Sequence, residues 1–266
     1  MSSFKEFEQK AWERKANLYD DNWGAVTRQV SKRIIEIANL KPGRKLLDLG
    51  CGPGHLCNEA FEKGAEVIGA DLSNNMIEIA KKNYPNISFQ SQDAECLSFG
   101  DETFDVVTLN YLLLHVPDQK KVLLEVRRVL KKGGLLIFTL WKEPPESPAL
   151  KLIFDGIKSY ADTSLIPAAD DIFQFSRKVT AEKFFETSGF SHFNTETSET
   201  AWKCPSTESF FNSVLSGTRM GGTIEIQSHE TREKNREKIF VELEGFRVAA
   251  GFVVPMPSVI CWVTKD

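Results

Sequence analysis

The sequence predicts an α/β protein: a doubly wound, mostly parallel sheet of about seven strands, with a helical lid inserted into it. Three observations predict this. Short apolar runs alternate with helix-patterned stretches through the first half of the chain, the pattern of βαβ units on one parallel sheet. The first of these units breaks on glycines at alternate positions, Gly50, Gly52 and Gly54, and its second strand ends in a lone acid, Asp71. After Trp141 the texture changes to a proline-rich, then aromatic-rich stretch.

The elements follow in order. "AVTRQVSKRIIEIANL" (25–40) reads as an amphipathic helix before the first strand. "KLLDLGC" (45–51), "EVIGADL" (66–72), "ISFQSQD" (87–93), "FDVVTLN" (104–110) and "LLIFTLW" (135–141) suit strands buried on both faces. "SNNMIEIAKKN" starts with Ser73 as an N-cap and carries Met76, Ile77, Ile79 and Ala80 as its apolar stripe. "DQKKVLLEVRRVLKKGG" starts at Asp118 and ends with lysines and Gly133-Gly134, so the spacing predicts a helix over 118–134. "KEPPESP" has three prolines and continues no strand or helix. "TAEKFFETSGF" predicts a helix from Thr180 to Gly189, and "HFNTETSETAW" (192–202) alternates as one strand. "TESFFNSVLSG" and "REKNREKIFVELEGF" predict two more helices. "SVICWVTKD" predicts a last strand, inserted antiparallel. Residues 1–266 thus form one domain: N-terminal helices over 1–40, a core over 41–141, and elaborations over 142–192 and 204–254.

The whole chain bounds the function. It has 266 residues, 41% hydrophobic and 26% charged, an ordinary globular balance. A net charge of −4 gives no electrostatic reason to expect nucleic-acid binding. "SHETREKNREK" (228–238) alternates both signs and reads as a solvated helix face. Five cysteines without a CxxC pair suggest neither a zinc site nor a disulfide framework. Reduced thiols and a charged N-terminus without an apolar core predict a cytoplasmic protein. No apolar run reaches membrane-spanning length.

The glycine loop and its acid carry the chemistry. Glycines let a backbone approach a ligand with no Cβ in the way. The following helix start offers free N–H groups, and an acid at the tip of the second strand can accept both hydroxyls of a ribose. The pair reads as a nucleoside site at the carboxyl edge of a parallel sheet. A dinucleotide fingerprint, G-x-G-x-x-G, is one candidate, and with it an NAD(P)-dependent oxidoreductase. Here the register is G-x-G-x-G, and the third dinucleotide position holds His55. A nucleoside with a short zwitterionic tail is the other candidate, its amino group served by Asp48 and the loop carbonyls. A cofactor-binding protein without turnover shares the same loop.

"LLDLGCGPG", "GADLSNNMIEIAKKN", "SQDAECLSFGDETFDVV" and "LLLHVPDQKKVLLEVRRVLKKGGLLIFTLW" together resemble the successive motifs of class I S-adenosylmethionine-dependent methyltransferases. The similarity is to the group related to ubiquinone/menaquinone biosynthesis and covers roughly residues 40–141. The resemblance implies a Rossmann-like methyltransferase fold and S-adenosyl-L-methionine as cofactor. It puts Gly50, Cys51, Gly52 and Gly54 under the methionine part, with Asp48 orienting the loop and the amino group. It gives the ribose to Asp71, with Leu72 and Met76 near the adenine. It gives the adenine edge to Asp93 and Ala94, with Glu95 beside them, and turns Asn110 toward the methionine tail. Tyr19 would close over the cofactor from the N-terminal segment.

Methyl transfer from a sulfonium is a direct displacement, so alignment and exclusion of water dominate. A base is needed only for a protonated acceptor. His115, in "LLLHVPD", is the candidate. The acceptor expected is a small, apolar or aromatic molecule; Phe154, Tyr160, Phe173, Phe175, Trp202, Phe210 and Phe211 of the elaborations either line its site or build the elaborations' own small core. No basic-aromatic interleaving of the kind that tracks a nucleic-acid strand is present.

Overall fold

The computed structural model describes residues 3–165, 171–217 and 219–266. The elements run α1 (Phe4–Lys15), α2 (Ala25–Thr27), α3 (Ser31–Ala38), β1 (Lys45–Leu49), α4 (His55–Phe61), β2 (Glu66–Asp71), α5 (Asn74–Asn83), β3 (Ser88–Ser91), β4 (Phe104–Asn110), α6 (Gln119–Val129) and β5 (Leu130–Trp141). They continue with α7 (Pro148–Tyr160), α8 (Lys178–Thr187), β6 (Phe190–Ser198), β7 (Ala201–Cys204), α9 (Thr207–Ser216), α10 (Arg219–Glu225), α11 (His229–Leu243), β8 (Arg247–Val248), β9 (Gly251–Pro255) and β10 (Ser258–Lys265). The chain divides into two compact units. One comprises Thr27–Trp141, Ala169–Ser198 and Ser258–Asp266; the other comprises Met1–Val26, Lys142–Ala168 and Glu199–Pro257. The elaboration read over 142–192 therefore contributes to both, and its residues 166–170 lie outside the described residues.

The first unit is built on a seven-stranded sheet of order β3-β2-β1-β4-β5-β10-β6. Neighbours from β3 to β5 are parallel, and β10 runs antiparallel between β5 and β6. The strands are near-continuous apolar runs because helices cover both faces. On one face α6 and α8 meet the sheet around Val107, Leu109, Val122, Val126, Phe138, Phe175 and Phe185, all buried. On α5, Ser73 caps the start by accepting the Met76 N–H at 3.2 Å, and Met76, Ile77 and Ala80 are buried.

Several boundaries differ from the sequence reading: α8 begins at Lys178 rather than at a Thr180 cap, the helix read over 25–40 is broken by a 3₁₀ turn at Arg28–Val30, and two differences reshape the sheets. The helix read over 118–134 ends at Val129, and Leu130 already pairs with Phe104 of β4. Lys131 is tied there to Asp105 at 2.9 Å, and Gly133 takes a φ of +72°. The irregular β4–β5 register absorbs this glycine-containing entry into the strand. The single strand read over 192–202 is two strands in two sheets, β6 and β7. Between them Thr200 is buried and bonded through its backbone and hydroxyl to Met256.

The second unit packs α7 against α11 and carries the sheet β7-β9-β8. Gly156 permits the helix contact: a Cβ there would stand 2.8 Å from Ile239. Trp202 lies between Trp23 and Phe210, with centroid distances of 4.4 and 5.0 Å. The Trp23 indole N–H donates to the Ser213 carbonyl at 3.0 Å. Lys15 is buried and its ammonium caps the end of α9, donating to the carbonyls of Leu215 and Gly217, where the helix dipole favours a cation. Trp202 and Phe210 thus build this unit's core, and Phe175 builds that of the large sheet, the second of the two roles the sequence left open for these aromatics.

Candidate functional site

The carboxyl ends of β1, β2, β3 and β4 converge at one edge of the large sheet. Parallel pairing puts Leu49 of β1 opposite Ala70 of β2, so the loop after β1 and the tip of β2 are neighbours. The N–H groups of Gly50 and Cys51 both donate to the Ala70 carbonyl, at 2.7 and 3.0 Å. Gly52 N–H donates to Asp71 Oδ2 at 3.0 Å, and Ser73 N–H to Asp71 Oδ1 at 2.9 Å. Asp71 is therefore held by backbone donors on both oxygens.

Gly50, Gly52 and Gly54 all have positive φ, +75°, +50° and +89°. A Cβ on Gly50 would stand 2.8 Å from Leu112, and one on Gly54 2.8 Å from Phe89. A Cβ on Gly52 would meet nothing within 4 Å. The loop is packed at its two ends and open in its middle.

Beneath it, Asp48 is only 2% exposed. It lies opposite Thr108 of β4, whose hydroxyl donates to Asp48 Oδ1 at 2.7 Å; Cys57 Sγ approaches Oδ2 at 3.4 Å. Burial pushes the Asp48 carboxyl up to about 6, with nearby Asp71 adding to the rise and the Thr108 and Cys57 donors opposing it. Burial likewise pushes the Cys51 thiol up to about 11, so it behaves as a small apolar group.

Beyond β3, Gln92 N–H donates to the Asp71 carbonyl at 3.0 Å, bringing the next turn beside Asp71. In that turn Asp93 Oδ1 accepts the Glu95 N–H at 3.0 Å, and the Asp93 carbonyl accepts the Cys96 N–H at 2.9 Å. Ala94 and Glu95 are buried. Leu72 is half-buried and Met76 is buried on α5. Asn110 ends β4 opposite Thr139 of β5 and accepts its hydroxyl at 2.7 Å. His115 closes a single turn, Leu113–His115, its N–H donating to the Leu112 carbonyl at 2.8 Å. Tyr19 belongs to the other unit, edge-to-face with Trp12 at 5.8 Å.

Two residues that the sequence reading passed over stand at this edge. The Thr27 carbonyl lies 3.5 Å from Asn110 Nδ2, and Arg28 Nη1 lies 2.8 Å from His55 Nε2. The segment 27–28 thus touches both the tip of β4 and the start of α4. Arginine only donates, so His55 Nε2 accepts and Nδ1 carries the proton toward the Tyr84 hydroxyl at 2.7 Å. The available signal was Arg28 itself, a cation within a helix-patterned stretch that the structure interrupts with a 3₁₀ turn at Arg28–Val30.

A glycine-floored βα turn with an acid at the next strand tip defines a nucleoside-binding α/β protein. The family described as "Methyltransferase domain" matches residues 47–138. A demethylmenaquinone methyltransferase of Staphylococcus saprophyticus is 33% identical over 178 residues, 60% of this chain and 76% of that relative. One of Renibacterium salmoninarum is 33% identical over 122 residues, 46% of this chain. The chain spans about half of that relative's length, 52%. Haemonchus contortus phosphoethanolamine N-methyltransferase 2, solved with phosphomonomethylethanolamine and S-adenosylhomocysteine, shares the fold. It superposes with a TM-score of 0.61 at 18% identity, over 100% of this chain and 61% of that one. The chain belongs to the class I S-adenosylmethionine-dependent methyltransferases, in the group related to menaquinone and ubiquinone biosynthesis.

Proposed function

We propose that this protein transfers a methyl group from S-adenosylmethionine to a small-molecule acceptor. One observation carries the reading: a loop open only at Gly52, bonded directly to an Asp71 carboxylate that two backbone N–H groups aim. The open position suits a ligand lying flat on backbone, and the carboxylate suits a ribose diol. The cofactor, when bound, supplies an electrophilic methyl group on a sulfonium.

The remaining residues are read around that ligand. Asp48 serves the amino group through the loop it underpins, and Gly50, Cys51, Gly52 and Gly54 carry the methionine part. Arg28 is a cation suited to the tail carboxylate. Leu72, Met76, Asp93, Ala94 and Glu95 form the adenine end. His115 is read as the base for an acceptor that arrives protonated. Relatives named for demethylmenaquinone support a small organic acceptor. No helix among the described residues is long and apolar enough to cross a membrane. The five free thiols suit a reducing, cytoplasmic setting.

The dinucleotide reading has no support at the third glycine position. His55 stands there, its ring bonded to Tyr84 and Arg28, where tight helix packing and a pyrophosphate are required. Calorimetry of Asp71→Ala tests the proposal: loss of a bidentate carboxylate weakens S-adenosylhomocysteine binding by roughly 1.5–3 kcal/mol. Unchanged affinity in a folded variant contradicts it.

A further inference from the structure

The tip of β4 holds a backbone conformation that the methyltransferase reading does not by itself require. Tyr111 has a φ of +57°, uncommon for a bulky residue, and is only 5% exposed. Such conformations persist where the surroundings over-determine them. Here the ring stacks on Trp141, centroids 3.9 Å apart and planes at 23°. The hydroxyl is 2.5 Å from Ser258 Oγ, on the strand residue paired with Trp141. The Tyr111 N–H donates to Thr139 Oγ1 at 3.0 Å.

Thr139 is fully buried, and its hydroxyl has one hydrogen. Tyr111 N–H can only donate, so it takes a lone pair of Oγ1. The hydroxyl hydrogen then goes to Asn110 Oδ1 at 2.7 Å. The other end of the amide agrees, since Nδ2 faces the Thr27 carbonyl at 3.5 Å. A reversed amide would set oxygen against oxygen there. Asn110 is thereby fixed with its donors, not its acceptor, turned away from β5.

We infer that Thr139 and the left-handed Tyr111 are positioning residues that lock the Asn110 amide as a hydrogen-bond donor to the carboxylate of the cofactor's amino-acid tail. This rests on the methyltransferase reading and deepens it. The tail offers an ammonium, which needs acceptors, and a carboxylate, which needs donors. A locked donor beside a segment carrying Arg28 fits the carboxylate.

Calorimetry with two probes tests this: S-adenosylhomocysteine, and 5′-methylthioadenosine, which lacks the amino-acid tail. Thr139→Val keeps the shape and removes the hydroxyl; it weakens S-adenosylhomocysteine about three- to tenfold and leaves 5′-methylthioadenosine unchanged. Thr139→Ser restores the affinity. Asn110→Asp, which replaces the donors by a charge, weakens S-adenosylhomocysteine by more than about tenfold. Tighter binding by Asn110→Asp, equal loss for both probes in Thr139→Val, or no loss at all overturns the inference. A wild-type protein that binds neither probe overturns the methyltransferase reading instead.

Discussion

Gly50, Gly52 and Gly54 share a left-handed backbone but not a fate on substitution. A methyl group on Gly54 would press on the buried Phe89 ring at 2.8 Å and on Tyr84 at 3.1 Å. On Gly52 it would meet nothing within 4 Å. The left-handed conformation alone costs about 1–2 kcal/mol. Gly52→Ala therefore loses about that much stability and, because its methyl group occupies the open middle of the loop, at least about tenfold in S-adenosylhomocysteine affinity. Gly54→Ala loses more, about 3 kcal/mol or above, by overpacking added to the same strain. Denaturation and calorimetry together separate the two, and equal stability losses would refute the distinction. Asp48 beneath the loop gives a pH signature. Its carboxyl is raised by burial from 3.8 to about 6, so the folded state holds that proton more tightly than the unfolded chain. The contribution is complete below about 4 and lost as pH rises through 6. It amounts to on the order of 2–3 kcal/mol. Asp48→Asn, which does not titrate, should flatten the pH dependence of urea stability between 4 and 6; an unaltered slope would remove Asp48 as its source. The glycines and Asp71 were legible because spacing along one chain segment exposes them. Thr139 and Thr27 were not, because they reach Asn110 through strand register and a tertiary contact.

The stretch after β3 is held by α6 as well as by its own turn bonds. Arg128 donates to the carbonyls of Leu97 and Phe99 at 2.9 and 2.8 Å and pairs with Glu125 and Asp101, each at 2.9 Å. Glu125 in turn accepts the Leu97 N–H at 2.9 Å. One guanidinium thus fastens residues 97–101, the stretch that follows Asp93 and Ala94. Arg128→Ala should cost about 2–3 kcal/mol, since charged hydrogen bonds to two carbonyls are lost. Arg128→Lys should recover little, because an ammonium cannot span both carbonyls and both carboxylates as a planar fork does. Full rescue by lysine, read from thermal denaturation, would show that charge alone sufficed. Helix and strand types here were legible from periodicity, but their ends were not. Val129 ends α6 because Leu130 finds a strand partner in Phe104, and no local signal competes with that pairing. Thr200 breaks the run read over 192–202 for the same kind of reason, a bond to Met256 far along the chain.

At the scale of the molecule, the alternation of strands and helices was enough to foresee the parallel strands and the doubly wound arrangement; the antiparallel setting of the last strand was also expected and is observed, but alternation alone does not give it. The division into two units was not foreseen, because each is assembled from three separate stretches of chain and only long-range packing defines them. The cofactor reading makes a prediction at this same scale. A ligand that binds the folded state alone stabilises it in proportion to the logarithm of its concentration over its dissociation constant, by about 2.7 kcal/mol at a hundredfold excess. For a chain of this size each kcal/mol raises the melting temperature by roughly 2–4 °C. S-adenosylhomocysteine at that excess should raise the melting temperature by about 5–10 °C. NAD at equal concentration should leave it in place, because His55, bonded to Tyr84 and Arg28, stands where the third dinucleotide glycine is needed. A rise with NAD and none with S-adenosylhomocysteine would assign the open loop at Gly52 to a pyrophosphate and overturn the methyltransferase reading from the loop outward.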